Sequence, residues 1–408
     1  MRLTQKNHIR SFQNGKYKTL VNLTHKSKNL YNHALYLIRQ SFFKRLTKIL
    51  TYNQLYKNLK KNKDYTTLPS QVAQQTLRIV SQNFKSFLAL LTLKKQGKYE
   101  PVVKIPHYLS KGGYFLAVFP QDMFRIQKDR IRLSLGKYFT KKLEQRYLYF
   151  PLPTNILEFP INQVRILPLY DGSYMEIEFV YQIDPLEIHD LDPSKYLGID
   201  LGLNNFATCS TNSGTAFILE GSGIKSYNRW YNKKQARSQS IYDKQKLKSG
   251  KKKRKLLFKR RHKMRNFMAQ QVNYIVKYCI TNNIGNIVVG HWADMKRDLP
   301  MSKKQAQPFQ QLPYKLFKDK LRTKCDQYGI DFALHEESYT SQDCARCEIR
   351  RKKNRIYRGL YQCHNCQLNI NADVNAALNI IKKVAPEVVK LGSSGGMIPP
   401  VRIRVLCV

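Results

Sequence analysis

Apolar positions fall into three successive spacing regimes along this chain. From Lys16 to about Lys95 they recur at helical intervals, as in Leu30, Ala34, Leu35 and Ile38. Pro69 opens a second helical run carrying Val72, Leu77, Val80, Phe84 and Phe87. From about Tyr99 to Ile183 the period falls to two. Phe124-Arg-Ile126-Gln and Arg130-Ile131-Arg132-Leu133 flank Lys128-Asp129, which predicts a hairpin. Val164 and Ile166 alternate before the turn Asp171-Gly172, and Met175, Ile177, Phe179 and Tyr181 alternate after it, with Glu176 and Glu178 on the opposite face. A third regime starts at Tyr196. Tyr196–Asp200, Asn205–Cys209 and Ala216–Leu219 read as successive strands, followed by a long helical stretch through Met268, Val272, Ile275, Val276 and Cys279. Ile287-Val-Val-Gly290 then reads as a buried strand, Tyr314–Tyr328 as a helix, Ile330–His335 as a strand and Asn371–Lys383 as a closing helix.

This order of strands and helices is that of a ribonuclease-H-like α/β domain. The expected fold class is multidomain α/β: a ribonuclease-H-like domain with an inserted zinc ribbon, an N-terminal helical domain and a small antiparallel β-barrel. The expected boundaries are 1–12 for the first barrel strand, 13–98 for the helical domain, 99–186 for the barrel and 187–338 for the α/β domain. The ribbon is expected at 339–369, the closing helix at 370–384 and a disordered, glycine-containing tail at 385–408.

Charge adds a partner. The 408 residues hold 72 Lys and Arg against 27 Asp and Glu, a formal net charge of +45. Such a chain repels itself unless a polyanion neutralises part of it. Its 26 Tyr and 19 Phe supply rings on which unpaired bases can stack. The densest basic run, Lys251 to Arg265, holds ten Lys or Arg. It predicts a helical hairpin pressed on phosphates, with Lys251, Lys252, Lys253, Arg254, Lys259, Arg260 and Arg261 as contacts. Gln71, Gln74 and Gln75, at the start of the second helical run, are candidates for base edges. No apolar run approaches the ~20 residues of a membrane span, and the polar N-terminus has no secretory pattern. Eight cysteines, four of them scattered, fit a reducing compartment. The expected location is therefore the cytoplasm of a prokaryote, in association with the nucleoid.

Two C-x-x-C pairs, Cys344/Cys347 and Cys363/Cys366, are separated by fifteen residues. That is the spacing of a four-thiolate structural zinc site. Carboxylates flank it. Asp200 ends a buried apolar strand, where a carboxylate is costly without a cation. Asp373 opens the last helix, with Asn375 two residues on, placed to orient it or to touch phosphate. Phosphodiester hydrolysis on this kind of fold uses two Mg²⁺ (or Mn²⁺) ions about 4 Å apart, held by oxygen ligands. Asp200 suits the bridging position and Asp373 the late one.

The motifs Gly198-Ile-Asp200-Leu-Gly202, Asn204-Asn-Phe206-Ala-Thr208, Tyr339-Thr-Ser-Gln-x-Cys344-x-x-Cys347, Cys363-x-x-Cys366 and Asp373-x-Asn375-Ala-Ala together resemble the TnpB family. Leu68-Pro-Ser-Gln-Val-Ala-Gln-Gln resembles it more loosely. The resemblance implies a transposon-encoded, RNA-guided DNA endonuclease related to type V CRISPR effectors, with one RuvC-like site. It implies a guide RNA from the transposon end, a double-stranded DNA target beside a short adjacent motif, and one protein per guide RNA. The family pattern puts a catalytic Glu directly after the Ile-Val-x strand, whereas here Ile287-Val-Val leads into Gly290-His291. Some relatives carry the acid on the next strand, where this chain has Glu336 and Glu337. Alternation along a strand turns only one of the two inward, and both remain candidates. His291 and Asp294 are weaker substitutes, and His364 reads as a solvent-facing residue of the second knuckle. Retained Asp200 and Asp373 argue for an active nuclease; the missing Glu argues for a nuclease-dead RNA-guided binder.

Overall fold

The computed structural model describes all residues except 10–14, 45–48, 185–189, 292–302, 358, 390, 392–398 and 406–408. Asp294 falls outside the described residues. The chain divides into two compact units, Met1–Asp184 and Pro185–Val408.

The first unit begins with strand β1 (Arg2–Ile9) and four helices, α1 (Lys16–Phe43), α2 (Tyr52–Leu59), α3 (Lys63–Thr66) and α4 (Ser70–Lys95). A capping box between Thr51 and Gln54 starts α2. Leu30, Ala34, Leu35 and Ile38 of α1 are buried, as are Val72, Leu77, Val80, Phe84 and Phe87 of α4. Strands β2 (Ala117–Pro120), β3 (Phe124–Gln127) and β4 (Arg130–Ser134), helix α5 (Gly136–Leu143), and strands β5 (Tyr147–Pro151), β6 (Ile161–Leu169) and β7 (Tyr174–Gln182) follow. Among the described residues these strands pair into two antiparallel sheets, β1-β7-β6-β2 and β3-β4-β5, where one closed barrel was expected. The β7 glutamates do not face solvent either. Both are buried, and Glu178 is held by Lys6 at 2.8 Å and Arg165 at 3.2 Å from the neighbouring strands. A buried carboxylate is tolerated there because it is paired.

The second unit is built on a six-stranded sheet. β8 (Asp192–Leu201), β9 (Asn205–Thr211) and β10 (Ala216–Glu220) form an antiparallel meander. Two long helices, α6 (Ser222–Lys244) and α7 (Lys251–Thr281), lead to β11 (Ile284–His291), which lies parallel to β8. α8 (Lys303–Gln310) and α9 (Tyr314–Tyr328) precede β12 (Asp331–Glu336), parallel to β11. Three short strands, β13 (Arg355–Tyr357), β14 (Leu360–Gln362) and β15 (Asn369–Ile370), surround the cysteines, and α10 (Ala372–Lys382) closes the unit. The order β12-β11-β8-β9-β10 is consistent with the ribonuclease-H-like arrangement.

A sixth strand, β16 (Val401–Ile403), corrects the expectation of a disordered tail. It pairs parallel with β10, whose outer edge would otherwise leave backbone N–H and C=O groups unpaired. Val389, also in the expected tail, is buried in the small core around Cys344, Tyr361 and Leu378.

Gly198 sets how closely α10 lies on the sheet. A Cβ there would stand 2.1 Å from the Ala377 carbonyl oxygen and 2.8 Å from Ile381 Cγ1. Only glycine lets the helix backbone settle directly on β8. That contact fixes the start of α10, with Asp373, relative to Asp200.

Candidate metal and nucleic-acid site

Asp200 lies near the end of β8, where Ile199 pairs with Val289 on β11 and Gly290 pairs with His335 on β12. Glu337 is the residue after β12. Its side chain reaches over Gly290: a Cβ at 290 would be 2.5 Å from Glu337 Oε2 and 3.4 Å from Glu337 Cβ. The carboxylate of Glu337 thus takes the space that a side chain at position 290 would enter. Glu336 behaves differently. It is exposed, and its carboxylate accepts a hydrogen bond from the Ser338 hydroxyl.

The acids perturb one another. Burial, then the charges of Glu337 and Asp373, push the Asp200 carboxyl up to about 8, against a smaller opposing pull from Arg355. Burial also raises Glu337, with Lys318 pulling the other way. Glu337 Oε2 is buried and has no hydrogen-bond partner. A buried, unpaired carboxylate oxygen costs free energy, and a cation removes that cost. Asp373 is the second residue of α10, after the N-cap Asn371, whose side chain accepts from the Asp373 and Val374 amides. It accepts from Asn205 Nδ2 at 2.7 Å and Arg355 Nη2 at 3.4 Å. Tyr314 donates to the Gly202 carbonyl at 2.8 Å, and its phenol is pushed far up by burial, Asp200 and Glu337. Lys318, buried on α9, meets His291 Nδ1 at 2.9 Å. Burial lowers both of these groups, and Lys318 lowers His291 further. His291 is therefore committed to Lys318.

Asp200 feels the charges of both Glu337 and Asp373, and one Glu337 oxygen is left bare; a set of acids of this kind suits divalent cations, which take oxygen ligands. Sequence reasoning offered Asp200, Asp373 and the Glu336/Glu337 pair as candidates; the fold adds Asn205, Arg355, Lys318 and Tyr314 to their surroundings. Asn205 stood in a quoted motif without a role; the other three carry no local signal, because only the fold brings them in.

The cysteines converge as their spacing predicts. Sγ of Cys344 and Cys366 lie 3.6 Å apart, and Sγ of Cys347 and Cys363 3.5 Å apart, with all four sulfurs within 4.8 Å of one another. A tetrahedron with Zn–S near 2.3 Å has edges of about 3.8 Å, so the thiols fit zinc. His364 is exposed beside them.

Two expected nucleic-acid contacts are corrected. Asn375 is fully buried: it accepts from the Ala345 amide at 2.9 Å and donates to the Asp343 carbonyl at 2.8 Å, tying α10 to the first knuckle. An amide used in this way is not free for phosphate. Arg260 bonds Asn228 at 3.1 Å and the Gln311 carbonyl at 3.1 Å and stacks over Tyr231, so it holds α7 to α6. Lys251, Lys252 and Lys259 are exposed along α7. Lys253, Arg254 and Arg261 are half-buried, and Lys253 bonds Gln239 of α6. In the first unit Gln71 reaches Asp122 at 3.5 Å, while Gln74 and Gln75 are half-buried.

The mixed α/β scaffold, with carboxylates from two strand ends and the last helix and four cysteines beside that helix, is consistent with a ribonuclease-H-like arrangement. Residues 179–296 match the family model OrfB_IS605, described as a probable transposase, and residues 314–380 match that of the Cas12f1-like TNB domain. The chain is 24% identical over 413 aligned positions to TnpB-like protein ORF457 of Acidianus two-tailed virus, covering 93% of this chain and 85% of that protein. It is 28% identical to the CRISPR-associated endodeoxyribonuclease Cas12f1 of Sulfoacidibacillus thermotolerans, over 52% of this chain and 51% of that one; it thus spans about half the length of that relative. The fold resembles that in a Cas12f1–sgRNA–target DNA complex, with a TM-score of 0.57 at 16% identity, over 90% of this chain and 83% of that chain. These matches bear out the resemblance to the TnpB family and to the Cas12f1 endonucleases.

Proposed function

We propose that this chain is an RNA-guided DNA endonuclease whose site is formed by Asp200, Glu337 and Asp373. The observation that carries the reading is the Glu337 carboxylate lying over Gly290 with a buried, unpaired oxygen. It supports relocation of the acid that the family pattern puts after the Ile-Val-x strand. It also favours an active nuclease over a nuclease-dead binder, because an inactive site gains nothing by burying such a group. Two divalent ions would supply charge neutralisation at the scissile phosphate and an activated water. Asp200, Glu337 and Asp373 would hold them, and Asn205 and Arg355 would fix the rotamer of Asp373. Tyr314 and the buried Lys318 would keep solvent from the back of the cluster. The four cysteines would hold a structural zinc that fixes the start of α10.

The resemblance to the TnpB family and the charge of +45 support the partners: a guide RNA from the transposon end and a double-stranded DNA target beside a short adjacent motif. One protein per guide RNA, acting in a prokaryotic cytoplasm close to the nucleoid, completes the reading. Among the described residues no helix is long and apolar enough to cross a membrane. The test is to sequence the RNA that copurifies with the chain, reconstitute the complex, and assay a plasmid carrying the matching target with Mg²⁺. Target-dependent cutting is expected. Guided binding without cutting by the parent would establish the nuclease-dead alternative.

A further inference from the structure

Directly beside Glu337 lies a cleft of about 330 Å³ lined by Glu336, Glu337, Ser338, Tyr339 and Gln342. Tyr339 is 54% exposed at its rim. Its backbone has φ +65°, a left-handed conformation that a bulky side chain adopts only when its surroundings impose it. The surroundings are rigid. Thr340 Oγ1 donates to the Glu337 carbonyl at 2.9 Å, and the buried Asn379 of α10 donates to the carbonyls of Thr340 at 2.8 Å and Asp343 at 2.7 Å. Asp343 in turn grips Arg350 with two hydrogen bonds of 2.6 and 3.1 Å, and the Arg350 guanidinium lies 4.1 Å from the centre of the Tyr339 ring. Arg350 therefore backs the ring, which stays 54% exposed. An aromatic ring so exposed, backed by a clamped guanidinium and held by the helix that carries Asp373, leaves surface open to a ligand.

We propose that Tyr339 is a stacking platform for one unpaired base of the nucleic-acid strand entering the carboxylate cleft. The inference rests on the nuclease reading above for its purpose, and on the cleft, the exposed ring and the Arg350–Asp343 clamp for its place. Stacking suits a site that cuts guided, variable sequences, because every base has a π-face and the contact reads none of them. A base held on Tyr339 would fix the neighbouring backbone beside Glu337. Tyr339 would be a positioning residue, and its ring rather than its hydroxyl would make the contact.

Two measurements test this. In the first, single-stranded DNA containing 5-iododeoxyuridine is bound to the chain with Ca²⁺, irradiated, and the attached peptides are mapped. The peptide holding Tyr339 is expected among the products, and it should disappear when Arg350→Ala removes the backing. Crosslinks at other tyrosines but none at Tyr339 overturn the platform, whether or not the chain cuts DNA. In the second, the reconstituted complex cuts targets carrying one abasic position at each site near the cut. Tyr339→Leu should slow cutting roughly 5- to 50-fold, the range expected for one lost base stack, and Tyr339→Phe should cut like the parent. At one position the abasic target should slow the parent equally and slow Tyr339→Leu no further. Losses that multiply at every position would make Tyr339 a merely structural residue. A parent that crosslinks at Tyr339 but never cuts would overturn the nuclease reading and leave the platform standing.

Discussion

At the scale of single residues, the account turns on Gly290 and Glu337. They are complementary: one lacks a side chain where the other's carboxylate lies. Glu337→Gln should cost most of the cleavage rate, at least about 100-fold for a lost metal ligand, while Glu336→Gln should stay within a few-fold of the parent. Time courses of plasmid cutting check both; equal losses, or none, contradict the assignment. Gly290→Glu should not rescue Glu337→Gln, because its Cβ would still meet the amide that replaces Oε2. Rescue becomes possible with Glu337→Ala, which clears that contact, although Ile380 Cδ1 at 2.9 Å must also shift. Asp200 adds a pH dependence. Its carboxyl is raised from 3.8 to about 8 in the folded, metal-free chain, so the neutral form is the favoured one. The stability this contributes is present below the ordinary carboxylate range and is lost as pH rises through about 8. In EDTA, the parent should therefore lose thermal stability relative to Asp200→Asn between pH 5 and 8.5, by a few degrees, and saturating Mg²⁺ should restore the parent alone. A parent that gains on the variant with rising pH contradicts it.

At the scale of elements, β8 and α10 form the frame. Gly198→Ala would force its Cβ into the Ala377 carbonyl, so α10 must lift from β8. A loss of about 2–4 kcal/mol is expected, with slower cutting because Asp373 moves with the helix; urea unfolding measures the first and the plasmid assay the second. The knuckles hold the other side of the same helix. Elemental analysis should give one zinc per chain, and Cys363→Ser should lower it and loosen the start of α10, because thiolate zinc sites contribute folding free energy directly. Absence of zinc from freshly purified chain contradicts this. The α/β order was legible in the sequence because each strand of the second unit is a short apolar run between strong helical periods. The four cysteines and Asp200 were legible because their spacing or their apolar setting is local. The choice between Glu336 and Glu337 was not, since alternation leaves open which phase faces the sheet's neighbours. Asn375 misled for the same reason: its partners, Ala345 and Asp343, lie thirty residues or so away in sequence. The tail strand escaped notice because three residues gain strand character only from the edge of β10 that receives them.

At the scale of the whole molecule, charge governs association. Neutralising Lys251, Lys252 and Lys259 together should weaken binding of RNA and flatten the slope of log affinity against log salt by roughly 2–3, whereas Arg260→Gln should instead destabilise the α6–α7 pair. An unchanged slope would make the exposed face of α7 a solvated surface only. Under the proposed function the charge would draw guide and target to the chain, and the central claim is that Asp200, Glu337 and Asp373 make one working metal site. The most direct test is cutting of a matched-target plasmid by the reconstituted protein–RNA complex with Mg²⁺, comparing the parent with Asp200→Ala, Glu337→Gln and Asp373→Asn while guided binding is followed in parallel. The account predicts that the parent cuts only the matched plasmid and that each variant binds it as the parent does without cutting. A parent that binds without cutting, or a Glu337→Gln complex that cuts at the parental rate, would contradict it.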